Sequence, residues 1–271
     1  MGKIQGFAAV VIGLAASPAG GHEDLELQIA RLTRELKAQP GSAELHLRRG
    51  EVHRQHENWA AARADYAEAE RLDPAMASVD LAYGRLWLQA GDARKALAAL
   101  DRFLGRCPDY AEGWLERGRA LAGLGRPGEA EESFTKSIGF FADPRPEHFL
   151  ERARVQPPDR ALAGIEEGLR RLGSVVTLEL AALDLEVEAR RFDAALGRLG
   201  RLAAASPRKE TWLARKGEIL REAGRAEESL RAFAEALAAI EALPPGRRSA
   251  RFVSDLERRL RKALEAGHEG R

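Results

Sequence analysis

Three histidines, His46, His53 and His56, stand seven and three residues apart and make up half of the six in the chain. On one helix that spacing could bring imidazole nitrogens toward a shared metal ion. His46 and His53, however, occupy positions filled by Trp114 and Leu121 in a related segment further along. That reads as a partly buried pair of packing side chains, with no metal. The run Gly123-Leu124-Gly125-Arg126-Pro127-Gly128 spells the dinucleotide fingerprint, which works only where a strand feeds the loop and a helix N-terminus meets the pyrophosphate. A helical pattern precedes it here, so a turn is expected, with Pro127 opening the next helix. Cys107 is the only cysteine, which excludes an intrachain disulfide and a multi-cysteine metal site. No local base would activate its thiol. Neither a Ser-His-acid set nor an acid pair nor a phosphate loop stands out, so no catalytic residue and no cofactor is expected.

The chain has 271 residues, of which 45% are apolar and only 6% aromatic. That balance suits helices packed closely through small side chains. Lys and Arg number 43 against 42 Asp and Glu, a formal charge of +1, so there is no global attraction to nucleic acid or membrane. Residues 1–19 resemble an export signal in outline: Lys3, an uncharged run from Phe7 to Ala16, and small residues at Ser17 and Ala19. The stretch from Ile4 to Ala16 is too short to span a bilayer comfortably, and no cysteine follows it to carry a lipid. An exported, periplasmic or extracellular protein with no stable membrane span is expected. A cytoplasmic location follows if the segment is instead a buried first helix.

The chain repeats itself. Gly50, Gly84 and Gly118 stand 34 residues apart, as do Ala62, Ala96 and Ala130, and Pro40, Pro74 and Pro108. Each interval holds two amphipathic halves: Leu45, Gly50 and Val52 mark the first, and Ala62, Tyr66 and Ala69 the second. The connecting turn reads Glu57-Asn58, then Gly91-Asp92, then Gly125-Arg126; glycine there can take the positive φ that ends a helix. A period of this length with small residues in fixed phase is the mark of a stacked repeat.

These motifs resemble the tetratricopeptide repeat family, whose unit reads Trp-x2-Leu-Gly-x2-Tyr, then Ala-x3-Phe, then Ala and Pro. The third unit matches best, with Trp114, Gly118, Leu121, Ala130 and Phe134; Tyr83, Gly84, Ala96, Leu100 and Pro108 serve the second. Phe192, Ala195, Leu199 and Pro207 serve a fifth, and Leu213, Gly217, Ser229, Phe233 and Ala236 a sixth. The resemblance implies an all-α fold, a solenoid in which antiparallel helix hairpins wind into a right-handed superhelix with helical caps. Residues 41–241 would hold about six hairpins, with a capping helix or half repeat at 24–38 and a second cap at 247–266. Two departures stand out. Four prolines between Phe141 and Asp159 and a deficit of about four residues predict a degenerate, shortened fourth hairpin near 147–172. Leu183 replaces the glycine of the fifth unit, which predicts helices set further apart. The last helix, read as 247–266, carries seven basic residues against three acids; a solvated cap face is the preferred reading, with phosphate or anionic lipid the alternative.

In this family the first helix of each hairpin lines an inner groove. The resemblance therefore implies a concave surface built from Arg48, Glu51, Arg54, Arg85, Gln89, Glu116, Arg119, Asp184, Arg215, Glu218 and Arg221. An extended peptide bearing acidic groups could lie along Arg54, Arg85 and Arg119. The family's clamp for the carboxylate end of chaperones uses cationic and amide groups, where this chain offers Leu47, Glu51, Ala82, Glu112 and Glu116, so that partner is not expected. The implied function is a non-catalytic scaffold, monomeric or weakly self-associating, that holds a peptide or partner protein in its groove. The alternative is an assembly subunit of an envelope complex acting through self-association or its convex face.

Overall fold

A computed structural model describes residues 18–204, 206 and 208–269. Residues 1–17, most of the segment read as an export signal, lie outside them. Every regular element among the described residues is helical, and the chain divides between Leu124 and Gly125 into two compact units. The first holds α1 (Pro18–Ala38), α2 (Ala43–Gln55), α3 (Trp59–Leu72), α4 (Ala77–Gln89), α5 (Ala93–Arg106) and α6 (Ala111–Gly123). The second holds α7 (Pro127–Phe140), α8 (Pro146–Arg154), α9 (Pro158–Leu172), α10 (Val176–Glu188), α11 (Phe192–Ala204), α12 (Lys209–Glu222), α13 (Ala226–Glu241), α14 (Pro245–Arg248) and α15 (Arg251–Glu269).

Helix starts in the first unit are set by side chains that satisfy otherwise orphaned amides. Ser42, Asn58 and Asp92 accept from the backbone N–H groups of Leu45, Ala61 and Lys95 at 3.3, 3.2 and 3.1 Å. The helix-ending positions Gly91, Gly125 and Gly224 have φ of +79°, +69° and +76°; Glu57 and Arg190 take the same conformation at +55° and +56° in spite of their Cβ atoms.

The 34-residue beat has a steric cause. A Cβ added at Gly50 would stand 2.5 Å from the Tyr66 ring, at Gly84 2.6 Å from Leu100, and at Gly217 2.4 Å from Phe233. Each glycine lets the second helix of its hairpin seat a large buried side chain directly on the backbone of the first. In the first unit α2 packs on α3 and α4 on α5, and α2, α4 and α6 lie side by side. Tyr66, Leu86 and Leu100 are fully buried there.

Two buried aspartates tie the hairpins of this unit. Asp65 of α3 receives Arg49 Nε and Nη2 at 2.8 and 2.6 Å, and Asp80 of α4 receives Arg102 Nε at 2.8 Å with Arg106 at 3.3 Å. Each charge is buried with its partners in place, the condition under which burial is tolerated.

In the second unit α8 is only 9 residues long, against 13 in α10, because Pro146 opens it and Pro157-Pro158 cannot continue it. Phe149, Leu150 and Ala153 of α8 pack into the core, and buried Arg152 donates through Nη2 to Glu167 at 2.6 Å and to the Gly164 carbonyl at 3.4 Å. Leu183 is buried with Ala195, Leu199 and Ile219, and α10 and α11 are set less closely than α12 and α13. A leucine where other hairpins carry glycine holds the backbones apart. The helical stretch expected from Arg247 is broken at Ser249-Ala250 into α14 and α15, and α15 packs on α13 through Val253, Leu256 and Leu260.

Candidate functional site

The first helices of the first unit present their repeat-phased side chains to one cavity of about 600 Å³, lined by Arg54 of α2, Arg85, Leu88 and Gln89 of α4, and Glu116 and Arg119 of α6. Five of these six were nominated from sequence. Leu88 was not. It stands 34 residues after Arg54, so the period itself carried the signal and only its apolar type hid it.

The charges in this cavity are ordered. Arg54, 11% exposed, donates to Glu51 through Nε and Nη2 at 3.2 and 2.9 Å, and its Nη1 donates to the Gln89 side-chain oxygen at 2.6 Å. The Tyr66 hydroxyl donates to the same Glu51 carboxylate. Burial works against the Arg54 charge, but the Glu51 hydrogen bonds and charge outweigh it and hold the guanidinium above its ordinary pKa. Burial first, and then the Glu51 charge, push the Tyr66 phenol well above its ordinary value, so it stays a neutral donor. Glu116 faces Arg119 Nη1 at 3.2 Å and Arg85 Nε at 3.9 Å. The wall thus carries three guanidinium groups and one carboxylate, with Glu51 behind it. Guanidinium groups offer planar forks that match carboxylate or phosphate oxygens. The lining residues include no nucleophile and no imidazole.

The remaining nominated residues lie elsewhere. Arg48 is exposed on α2, outside the cavity wall. In the second unit Arg215 donates to Asp184 at 3.0 Å and to Glu218 at 3.3 Å, so these three form one closed ionic group across α10 and α12. Arg221 stacks over the ring of Phe233, 5.8 Å from its centroid, and so leans toward α13.

The histidines do more than pack. His46 Nδ1 lies 3.1 Å and His53 Nε2 4.0 Å from the buried Asp65 carboxylate, beside Arg49. Burial lowers the His53 pKa; Asp65 opposes that, while Arg49 and His56 add to it. Asp65 was invisible in the sequence because its partners come from another helix. Gly125 sits in a turn, and α7 begins at Pro127; a helix, not a strand, precedes the glycine run.

Tandem helix hairpins with small residues at the closest approaches, opening a polar groove along their first helices, define a repeat protein of the helical solenoid class. The tetratricopeptide repeat profile matches residues 22–77, 81–145 and 180–246, well over half of the chain. The chain belongs to the tetratricopeptide repeat family.

Among solved structures it is similar to a tetratricopeptide repeat protein of Parabacteroides merdae, with 16% identity, 89% of this chain and 94% of that one covered, and a TM-score of 0.54. It is also similar to PilF of Pseudomonas aeruginosa, with 16% identity, coverage of 74% and 93%, and a TM-score of 0.51. A third similar structure is that of Naa15/Naa10 bound to HypK, with 17% identity, coverage of 82% of this chain but 35% of that one, and a TM-score of 0.54. At these identities the likeness is one of fold. No curated protein matches the sequence.

Proposed function

We propose that this protein is a non-catalytic interaction scaffold that holds an extended, acidic peptide segment of a partner protein in the groove of its first unit. The excess of guanidinium groups in the cavity wall supports this: Arg85 and Arg119 share the one lining carboxylate, Glu116, beside Arg54, which Glu51 and Gln89 hold in place. A carboxylate-bearing peptide would displace the long 3.9 Å contact between Arg85 and Glu116 and gain charge-assisted hydrogen bonds. Leu88 gives the peptide an apolar point of contact between those charges.

Membership of the tetratricopeptide repeat family supports binding to protein partners, since repeats of this kind present rigid surfaces to them. The similar Naa15/Naa10 structure is itself that of a complex with HypK. A bacterial source and export are part of the proposal and rest on residues 1–19. No helix among the described residues is long and apolar enough to cross a membrane.

Site-specific photo-crosslinking in the native host tests the reading, with a probe at Arg85 in the groove and a control at Glu68 on α3. A discrete partner captured from Arg85 alone, and lost when Arg119 is changed to Glu, is the expected result. Capture from Glu68 alone, or equally from both, would move the function to assembly through the outer surface.

A further inference from the structure

The helix α15 carries a second surface, unrelated to the groove. At 100° per residue its positions divide between two faces, with Phe252 near their border. Val253, Leu256 and Leu260 point to α13 and are buried, with Ala263 and Leu264 packed beside them. On the opposite side Arg251, Phe252, Asp255, Arg258, Arg259 and Lys262 fall within an arc of about 120°. All but Asp255 are exposed, and Phe252 is 51% exposed.

Asp255 is occupied by Arg258 at 2.8 Å, and Arg261 and Arg248 serve Glu257 at 2.7 and 3.4 Å. Arg251, Arg259 and Lys262 have no ion pair among the described residues. The sequence from 247 to 262 holds seven basic residues and two acids. The formal charge of +1 on the whole chain says little about this face, because exposed charges further away than a screening length of about 8 Å contribute weakly to the local field.

We propose that the outer face of α15 docks on an anionic phospholipid surface, lying flat with Phe252 in the headgroup layer and Arg251, Arg259 and Lys262 against lipid phosphates. Three features favour lipid over a nucleic-acid backbone. The free cations Arg251, Lys262 and Arg259 fall within about 80° of one face of α15, as contact with a plane requires. A large apolar ring, Phe252, stands exposed at the edge of that arc beside Arg259, where a headgroup boundary would accept it. The apolar stripe is already consumed by α13, so the helix binds without leaving its place in the fold. Each basic group near such a surface adds attraction that disappears with salt.

The test is co-sedimentation of the full chain with phosphatidylcholine vesicles containing phosphatidylglycerol, beside pure phosphatidylcholine vesicles and a duplex oligonucleotide. The wild-type chain is expected to bind the anionic vesicles only and to release them in about 1 M salt, where screening shortens to about 3 Å. Arg251→Glu with Arg259→Glu is expected to weaken partitioning at least about tenfold, and Phe252→Ala about fivefold. Circular dichroism checks that both variants stay folded, as expected for side chains on the exposed face of α15. Equal binding to both vesicle types, or anionic binding that the double variant leaves unchanged, overturns the proposal. Binding to the duplex but not to vesicles, indifferent to Phe252→Ala, also overturns it and gives the face to nucleic acid.

Discussion

At the scale of single residues, two glycines of the second unit separate the steric requirement from the conformational one. Gly217 meets Phe233 at 2.4 Å once a Cβ is added, whereas Gly197, inside α11, meets nothing within 4 Å. Gly217→Ala is therefore expected to cost about 1–3 kcal/mol by overpacking, and Gly197→Ala to add about 0.5–1 kcal/mol by removing backbone freedom. Urea unfolding of the two variants measures both. Glu57, at φ +55°, pays the left-handed penalty that Gly91 avoids, so Glu57→Gly is expected to stabilise by about 1 kcal/mol. His53 makes a prediction about pH. Burial lowers its pKa despite Asp65, with Arg49 and His56 adding to the effect. The unfolded chain then binds more protons than the folded one below about pH 6.5, and stability falls as the pH drops through that range. His53→Gln should flatten that part of the stability profile, as followed by thermal unfolding between neutral pH and pH 5.

At the scale of elements, α9, α10 and α11 are held in register by one cation. Arg198 of α11, 5% exposed, donates to both Glu186 oxygens at 3.0 and 2.8 Å and also to Glu179 and Glu166. The hydrogen bonds it donates to Glu186, opposed by burial and joined by those it donates to Glu179 and Glu166, raise its pKa above the ordinary value. Arg198→Met leaves Glu186 buried without its partner and is expected to cost about 3–5 kcal/mol, part of which Glu186→Leu in the same chain restores. A double-mutant cycle in urea checks the coupling. No local sequence signal pointed to this cluster, because its members lie up to 32 residues apart and on three helices. The shortened α8, by contrast, was legible, since proline acts on its own chain neighbours and needs no tertiary context.

At the scale of the whole molecule, the near balance of 43 basic and 42 acidic residues places the isoelectric point near pH 8.0, and turbidity against pH should show the lowest solubility there. Repeat proteins gain stability from interfaces between neighbours. Gly217→Ala is accordingly expected to speed amide exchange in α12 and α13 while leaving α2 to α5 unchanged, which hydrogen exchange followed by mass spectrometry resolves. The sequence by itself determined the helical hairpin fold, the family and the phase on which the cavity-lining residues of the first unit recur. Helix periodicity, turn glycines and small residues at close approaches act over at most one hairpin, and they recur often enough to be read. Only the tertiary structure decided how the charges are spent. It joined Arg54, Arg85 and Arg119 around one cavity, closed Asp184, Arg215 and Glu218 on each other, turned Arg221 onto Phe233, and seated His46 and His53 beside Asp65. An arginine reaches several ångströms and pairs with whatever carboxylate a neighbouring helix brings, so its partner is a property of packing and not of its place in the chain.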